Sequence, residues 1–178
     1  MDPVKIIKKY YNPKTEAYKI LIGHSTQVKN KALQIAKKHK GANLIFIREA
    51  AMLHDIGIYL TGVKDIYCYG KEPYIKHGVL GKKILEKEGL AKHAKVCERH
   101  IGTGLSKPDI IKQNLPLPKR NMLPISLEEK IICLADKFFT KSRKYFKKIK
   151  TVAEVRDTIG KFGKDPAKRL ENLIKELL

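Results

Sequence analysis

The sequence predicts an all-α protein folded as a single domain, on three observations. Apolar residues recur at helical spacing along most of the chain, as in Val28, Ala32, Leu33, Ile35 and Ala36. Helix-starting residues and glycine stops alternate at helix-length intervals. The length, 178 residues, suits one typical domain, with no internal repeat or low-complexity linker to divide it.

Taken in order, the first helix is expected over residues 13–22, interrupted by Gly23 just before His24. A second helix follows and ends at Gly41, after which Asn43 caps a third over 44–56, stopped by Gly57. That third helix is apolar on most sides (Ile45, Phe46, Ala50, Ala51, Met52, Leu53) and is expected at the centre of the domain. Residues 57–71, rich in glycine and aromatics, read as a loop. Pro73 opens the next helix and Gly89 closes it. Another helix is expected over 91–101, ending at Gly102-Thr103-Gly104. Four prolines in 106–124 predict an ordered surface loop. Ser126 with Glu129 reads as a capping box opening the helix that holds Asp136. Thr151 with Glu154, and Asp165 followed by Pro166, start two final helices.

Composition restricts location and partners. The longest apolar runs, such as Leu44 to Ile47, are far too short to span a bilayer, and Met1 to Lys5 does not begin a signal peptide. Cys68, Cys97 and Cys133 are scattered without CxxC spacing, which predicts reduced thiols and a cytoplasmic protein; Cys97 and Cys133 are expected to face the core. The net charge of +20 has two readings. One is a polyanionic partner, nucleic acid included. The other is the Lys-rich surface of a heat-adapted protein, in keeping with only three glutamines.

The residues that carry chemistry are histidines and aspartates. His54-Asp55 ends an otherwise apolar helix, where unpaired charge is expensive to bury. A divalent cation between the two removes that cost; alternatively the pair caps its own helix. Asp136 lies among Ile132, Leu134, Ala135 and Phe139 and also needs a buried partner. A structural ion pair would supply one, whereas a metal shared with His24, His54 and Asp55 serves all four. His77 and His100, near the ends of separate helices, allow a second metal with Asp55 as the bridge. Two metals about 3.5 to 4 Å apart can activate water and clamp a phosphate under attack. Imidazole and carboxylate suit Fe, Mn, Zn, Co or Ni. His93 reads as a helix-surface histidine, and His39, within Lys37-Lys38-His39-Lys40, as too positively surrounded for metal.

The order His24 … His54-Asp55 … Asp136 resembles the HD superfamily of metal-dependent phosphohydrolases. Ala50-Ala51-Met52-Leu53-His54-Asp55-Ile56-Gly57 is similar to the HDIG signature, His24-Ser25-Thr26-Gln27-Val28 to the first-histidine helix, and Ala135-Asp136 to the final motif. His77-Gly78 with Gly81, and Glu98-Arg99-His100, resemble the two additional histidines of binuclear members. The resemblance implies one metal on His24, His54, Asp55 and Asp136, a second on His77, His100 and the shared Asp55, and a catalytic role for Asp55. It covers about 23–141, leaving 142–178 as a C-terminal helical extension. Two departures stand out. Ile58 replaces the lysine that often follows the glycine, and Gly102-Thr103-Gly104-Leu105 is not the GYP string of cyclic-dinucleotide phosphodiesterases.

The expected function is hydrolysis, by metal-activated water, of a phosphate ester or anhydride in a nucleotide or another small phosphorylated metabolite. Arg99, Thr103, Arg120, Lys137 and Lys141 are candidate phosphate contacts. Tyr67, Tyr69 and Tyr74 either stack on a base or pack their loop onto the domain. Residues 137–150 carry seven basic and no acidic side chains, interleaved with Phe138, Phe139, Tyr145 and Phe146. That run suits a single-stranded nucleic-acid groove or an amphipathic helix with a solvated lysine face. Two alternatives therefore stand: an RNA or DNA phosphodiesterase using this basic face, and a regulatory module that binds metal or nucleotide without catalysis.

Overall fold

The computed structural model describes residues 1–142 and 148–178, so Tyr145 and Phe146 of the basic run lie outside the described residues. The described chain is helical, without a sheet, in the order α1 (Pro3–Tyr10), α2 (Glu16–Ala36), α3 (Leu44–Leu53), α4 (His77–Lys87), α5 (Ala91–Arg99), α6 (Lys107–Lys112), α7 (Leu127–Asp136), α8 (Val152–Gly160) and α9 (Lys164–Leu177). The all-α class holds. No helix among the described residues is long and apolar enough to cross a membrane.

Local chemistry accounts for most starts. The Asp2 carboxylate accepts from the Val4 and Lys5 amides and opens α1, a helix the periodicity did not reveal. Thr15 caps α2 and Asn43 caps α3 through their side-chain oxygens. Thr151 and Glu154 form the expected reciprocal capping box of α8. At α7 only half of the box forms. Ser126 accepts from the Glu129 amide, but the Glu129 carboxylate turns to the Ile125 amide at 2.7 Å and to Arg99 at 2.9 Å.

Several boundaries differ from expectation for identifiable reasons. Gly23 does not interrupt α2, because Leu21, His24, Ser25 and Val28 around it are buried and tertiary packing outweighs the roughly 1 kcal/mol that a helical glycine costs. Helix α3 ends at Leu53, three residues early, and a 3₁₀ turn over Ile56–Leu60 carries the chain past Gly57. The proline-rich segment contains α6, started by a Ser106–Asp109 capping box and tied to α9 by an Asp109–Arg169 ion pair of 2.7 Å. After α7 the described chain is not helical at 137–142 or 148–150, so an amphipathic helix does not cover those residues.

Two main apolar clusters hold the helices. One joins α2, α3 and α7 to Val155 and Ile159 of α8 and to Leu170, Leu173 and Leu177 of α9. The other joins α1 and the first half of α2 to Leu53, Ile56, Ile58, Leu85, Ala94 and Cys97. The second depends on close backbone approach. A Cβ on Gly57 would sit 2.3 Å from the His77 carbonyl oxygen and 2.4 Å from the Gly81 nitrogen, and one on Gly78 2.5 Å from the Cys97 carbonyl oxygen. The absence of side chains there lets α4 lie against both the 56–60 turn and α5, which sets the spacing of Asp55, His77 and His100.

Candidate metal centre

Six side chains converge where helix ends meet. His24 projects from the middle of α2. His54 follows the last residue of α3, Asp55 stands next in the turn, and His100 follows α5. His77 is the first residue of α4 and Asp136 the last of α7. Three helices thus direct their C-terminal carbonyl ends at the site against one N-terminus, a backbone field that favours a cation. All six are buried, none more than 8% exposed.

The two oxygens of Asp55 face different partners. Oδ2 lies 3.3 Å from His24 Nε2 and 3.2 Å from His54 Nε2, and these two rings also approach Asp136 Oδ1, at 3.0 and 3.6 Å. Oδ1 lies 3.4 Å from Nε2 of both His77 and His100. The ligand-type atoms of His24, His54, Asp55 and Asp136 all lie within 4.8 Å of one another, and so do those of Asp55, His77 and His100.

Each of three rings is held in one tautomer by its own turn of backbone. His54, His77 and His100 place Nδ1 at 2.7, 2.6 and 2.8 Å from the carbonyls of Ala51, Tyr74 and Cys97. A carbonyl only accepts, so Nδ1 carries a proton and Nε2 is the atom turned to the centre, with a lone pair whenever the ring is neutral. His77 Nε2 and His100 Nε2 then face one another at 3.0 Å. Two lone pairs at that distance repel unless a proton or a cation lies between. Burial, partly opposed by Asp55, pushes the His77 imidazole down to about 3, and burial lowers His100 as well, which disfavours the proton.

The donor set fits a divalent transition metal on further grounds. His54 Nε2 and Asp55 Oδ1 are buried without a hydrogen-bond partner, and Asp55 Oδ2 has the Lys141 ammonium beside it at 2.6 Å. Imidazole nitrogens with carboxylate oxygens are the ligands such ions take, and second-side hydrogen bonds to carbonyls are how ligating histidines are oriented. Burial opposes ionisation of Asp55, but His54 and Lys141 override it and hold the carboxyl well below the usual range; for Asp136, Lys137 and Lys141 do the same. Burial also opposes protonation of His54, yet Asp55 and Asp136 raise its pKa to about 9.

The candidate phosphate contacts divide into two groups. Lys141 Nζ lies 2.6 Å from Asp55 Oδ2 and Lys137 Nζ 2.7 Å from Asp136 Oδ2. A cavity of about 410 Å³ adjoins them, lined by Tyr74, Asp136, Lys137 and Lys141 and also by Ile159 and Phe162. Arg99, Thr103 and Arg120 do not line it. Arg99 is committed to Glu129, Arg120 to Glu98, and the Thr103 hydroxyl donates to the Pro166 carbonyl at 3.1 Å. For Arg99, proximity in sequence to His100 did not carry over, because neighbours on a helix point about 100° apart, whereas Lys137 does stand beside Asp136. The wall from α8 had no signal in the sequence, where its periodicity says only helix.

The remaining candidates have structural partners. His93 is buried rather than on the surface, 3.2 Å from Glu49 and against the Phe46 ring. His39 meets the Leu177 carbonyl at 3.3 Å. Tyr74 stacks on His77 with ring centroids 4.5 Å apart, whereas Tyr69 is exposed. All three cysteines are buried and free.

A model of the HD domain family matches residues 21–141. The chain belongs to the HD family. An uncharacterized protein of Methanocaldococcus jannaschii is 37% identical over 135 residues, covering 74% of this HD chain and 68% of that protein. The tRNA (cytidine(56)-2'-O)-methyltransferase of Thermoplasma volcanium is 35% identical over 159 residues, which is 88% of this chain but 41% of that protein. The protein of the same name in Picrophilus torridus is 31% identical over 98 residues, 54% of this chain and 25% of its own length. The chain thus spans less than half of the two methyltransferases it matches. Among solved structures, the HD domain of the L. monocytogenes phosphodiesterase PgpH superposes with a TM-score of 0.56 at 19% identity, covering 96% of this chain and 94% of that one, which establishes the shared HD fold.

Proposed function

We propose that this HD-family chain is a metal-dependent phosphohydrolase acting on a nucleotide or another small phosphorylated molecule. The observation that carries the reading is Asp55, whose two oxygens each face a separate buried ligand group. His24, His54, Asp55 and Asp136 would hold one divalent ion, and Asp55, His77 and His100 a second. Bound there, such ions act as Lewis acids toward phosphoryl oxygens and lower the pKa of water towards neutrality. The protein's own part is orientation and charge. The Ala51, Tyr74 and Cys97 carbonyls lock three imidazoles with Nε2 inward. Asp55 and Asp136 stay ionised, and Lys137 and Lys141 supply positive charge beside a cavity of small-molecule size.

Asp55→Asn keeps the shape and removes the charge. It is expected to abolish metal retention and to lower phosphatase turnover at least a hundredfold, with an unchanged helical circular-dichroism spectrum. Undiminished turnover by a folded variant would refute the assignment.

A second reading, RNA as substrate, is favoured by two observations. The relatives named tRNA (cytidine(56)-2'-O)-methyltransferase share this segment with a protein named for acting on tRNA, and the chain carries +20. It predicts tRNA affinity that falls steeply between low and physiological salt. Weak, salt-independent binding in a filter or anisotropy assay would dismiss it.

A further inference from the structure

The two lysines at the centre are paired differently. Lys137 takes Asp136 Oδ2, whereas the oxygen that approaches His24 and His54 is Oδ1; Lys137 also donates to the His100 carbonyl at 3.1 Å. A cation among the histidines therefore leaves Lys137 its partners. Lys141 has no such freedom. Its Nζ stands 2.6 Å from Asp55 Oδ2, the same oxygen that approaches His24 and His54 at 3.3 and 3.2 Å. Its side chain is only 12% exposed. The ammonium thus sits where the positive charge of a metal on that group is needed, and two cations sharing one carboxylate oxygen in a buried site repel strongly.

We infer that Lys141 holds the place of the cation in the metal-free protein and becomes the phosphate anchor in the loaded one. This rests on the metal-centre reading above. Metal binding releases the ammonium from Asp55 into the cavity that Lys141 itself lines, together with Lys137, Thr140 and Lys150. There the ammonium has left its carboxylate, and a phosphate dianion supplies a new counter-ion through charge-assisted hydrogen bonds. The apolar part of the lining, with Ile159 and Phe162, takes the rest of the molecule. Metal and phosphate then bind with positive coupling. The site admits the phosphate tightly only once the metal is in place, and by reciprocity phosphate raises metal affinity by the same factor.

The test is calorimetric and needs no turnover. Inorganic phosphate is titrated into the wild-type protein with and without Mn²⁺, and Mn²⁺ into wild type, Lys141→Met and Lys141→Arg. Wild type is expected to bind phosphate at least about fivefold more tightly when loaded, the low end of ordinary coupling. Lys141→Met is expected to bind Mn²⁺ more tightly than wild type, since its competitor is gone, yet to lose about tenfold in phosphate affinity when loaded. Lys141→Arg retains the charge and is expected to show no gain in Mn²⁺ affinity. A merely structural lysine would weaken both ligands together on replacement, and that result would overturn the proposal. So would equal phosphate affinity with and without Mn²⁺ in the wild type, a measurement that stands even if Lys141→Met fails to fold. Wild-type protein that takes up no Mn²⁺ would overturn the metal reading itself, a failure distinct from uncoupled binding by a protein that does load.

Discussion

At the scale of single residues, the centre is governed by which atom of each imidazole carries the proton. The carbonyls of Ala51, Tyr74 and Cys97 decide this for His54, His77 and His100, each from three positions earlier in the chain. With Nδ1–H donated, any added proton on His54 goes to Nε2, the atom a metal needs. Asp55 and Asp136 raise the His54 pKa to about 9 despite burial, so at neutral pH a metal must displace a proton from it. Because the folded-state pKa is raised, the proton is held below about 9 and released above it. Affinity for the ion held by His24, His54, Asp55 and Asp136 is therefore expected to rise about tenfold per pH unit from near neutrality and to flatten near pH 9, with about one proton released as that ion binds below that point. Calorimetry in buffers of different ionisation enthalpy measures the proton count; affinity independent of pH across this range would contradict it. The histidines and aspartates were legible in the sequence because burying such groups unpaired is expensive. Lys141 was one of several cations, and only the path of the chain after α7 brings it to Asp55 rather than to solvent.

At the scale of elements, the centre exists because helices end together and one of them comes unusually close. Gly57 is read from sequence as a helix stop, but α3 has already ended at Leu53. Its structural part is to leave room for α4, since a Cβ there would meet the His77 carbonyl oxygen at 2.3 Å. Gly57→Ala is expected to push α4 away, destabilise the fold by about 1–3 kcal/mol as overpacking does, and remove metal held by His77 and His100 before that held by His24, His54 and Asp136. Urea unfolding and metal content of the purified variant check this; a variant of wild-type stability and metal content would refute it. Helix existence was largely readable from caps and periodicity. The exceptions are α1 and α6, short helices of eight and six residues begun by Asp2 and by the Ser106–Asp109 box, whose few turns give too little periodicity to detect.

At the scale of the whole molecule, the helices beyond the HD match are bound into the same core as the centre. Leu170 is fully buried and packs in one cluster with residues of α2, α3 and α7, which carry or adjoin His24, His54 and Asp136. Leu170→Ala is expected to cost about 2–5 kcal/mol and to loosen metal binding, although the residue lies outside the match over residues 21–141. Thermal melts with and without Mn²⁺ test both parts; a change below about 1 kcal/mol would show that α9 is an independent appendage.

What the sequence determined by itself was the helical class, most of the helices, and the identities and order of the six ligand candidates, since periodicity, capping chemistry and the cost of buried charge are local or pairwise properties. Only the tertiary structure decided which oxygen of Asp55 faces which histidines, that Lys141 rather than Arg99 or Arg120 reaches the centre, and that α8 walls the adjoining cavity. Those are relations between elements distant in the chain, set by the direction in which each helix end points and by glycine-permitted backbone contact, and spacing along the sequence carries neither.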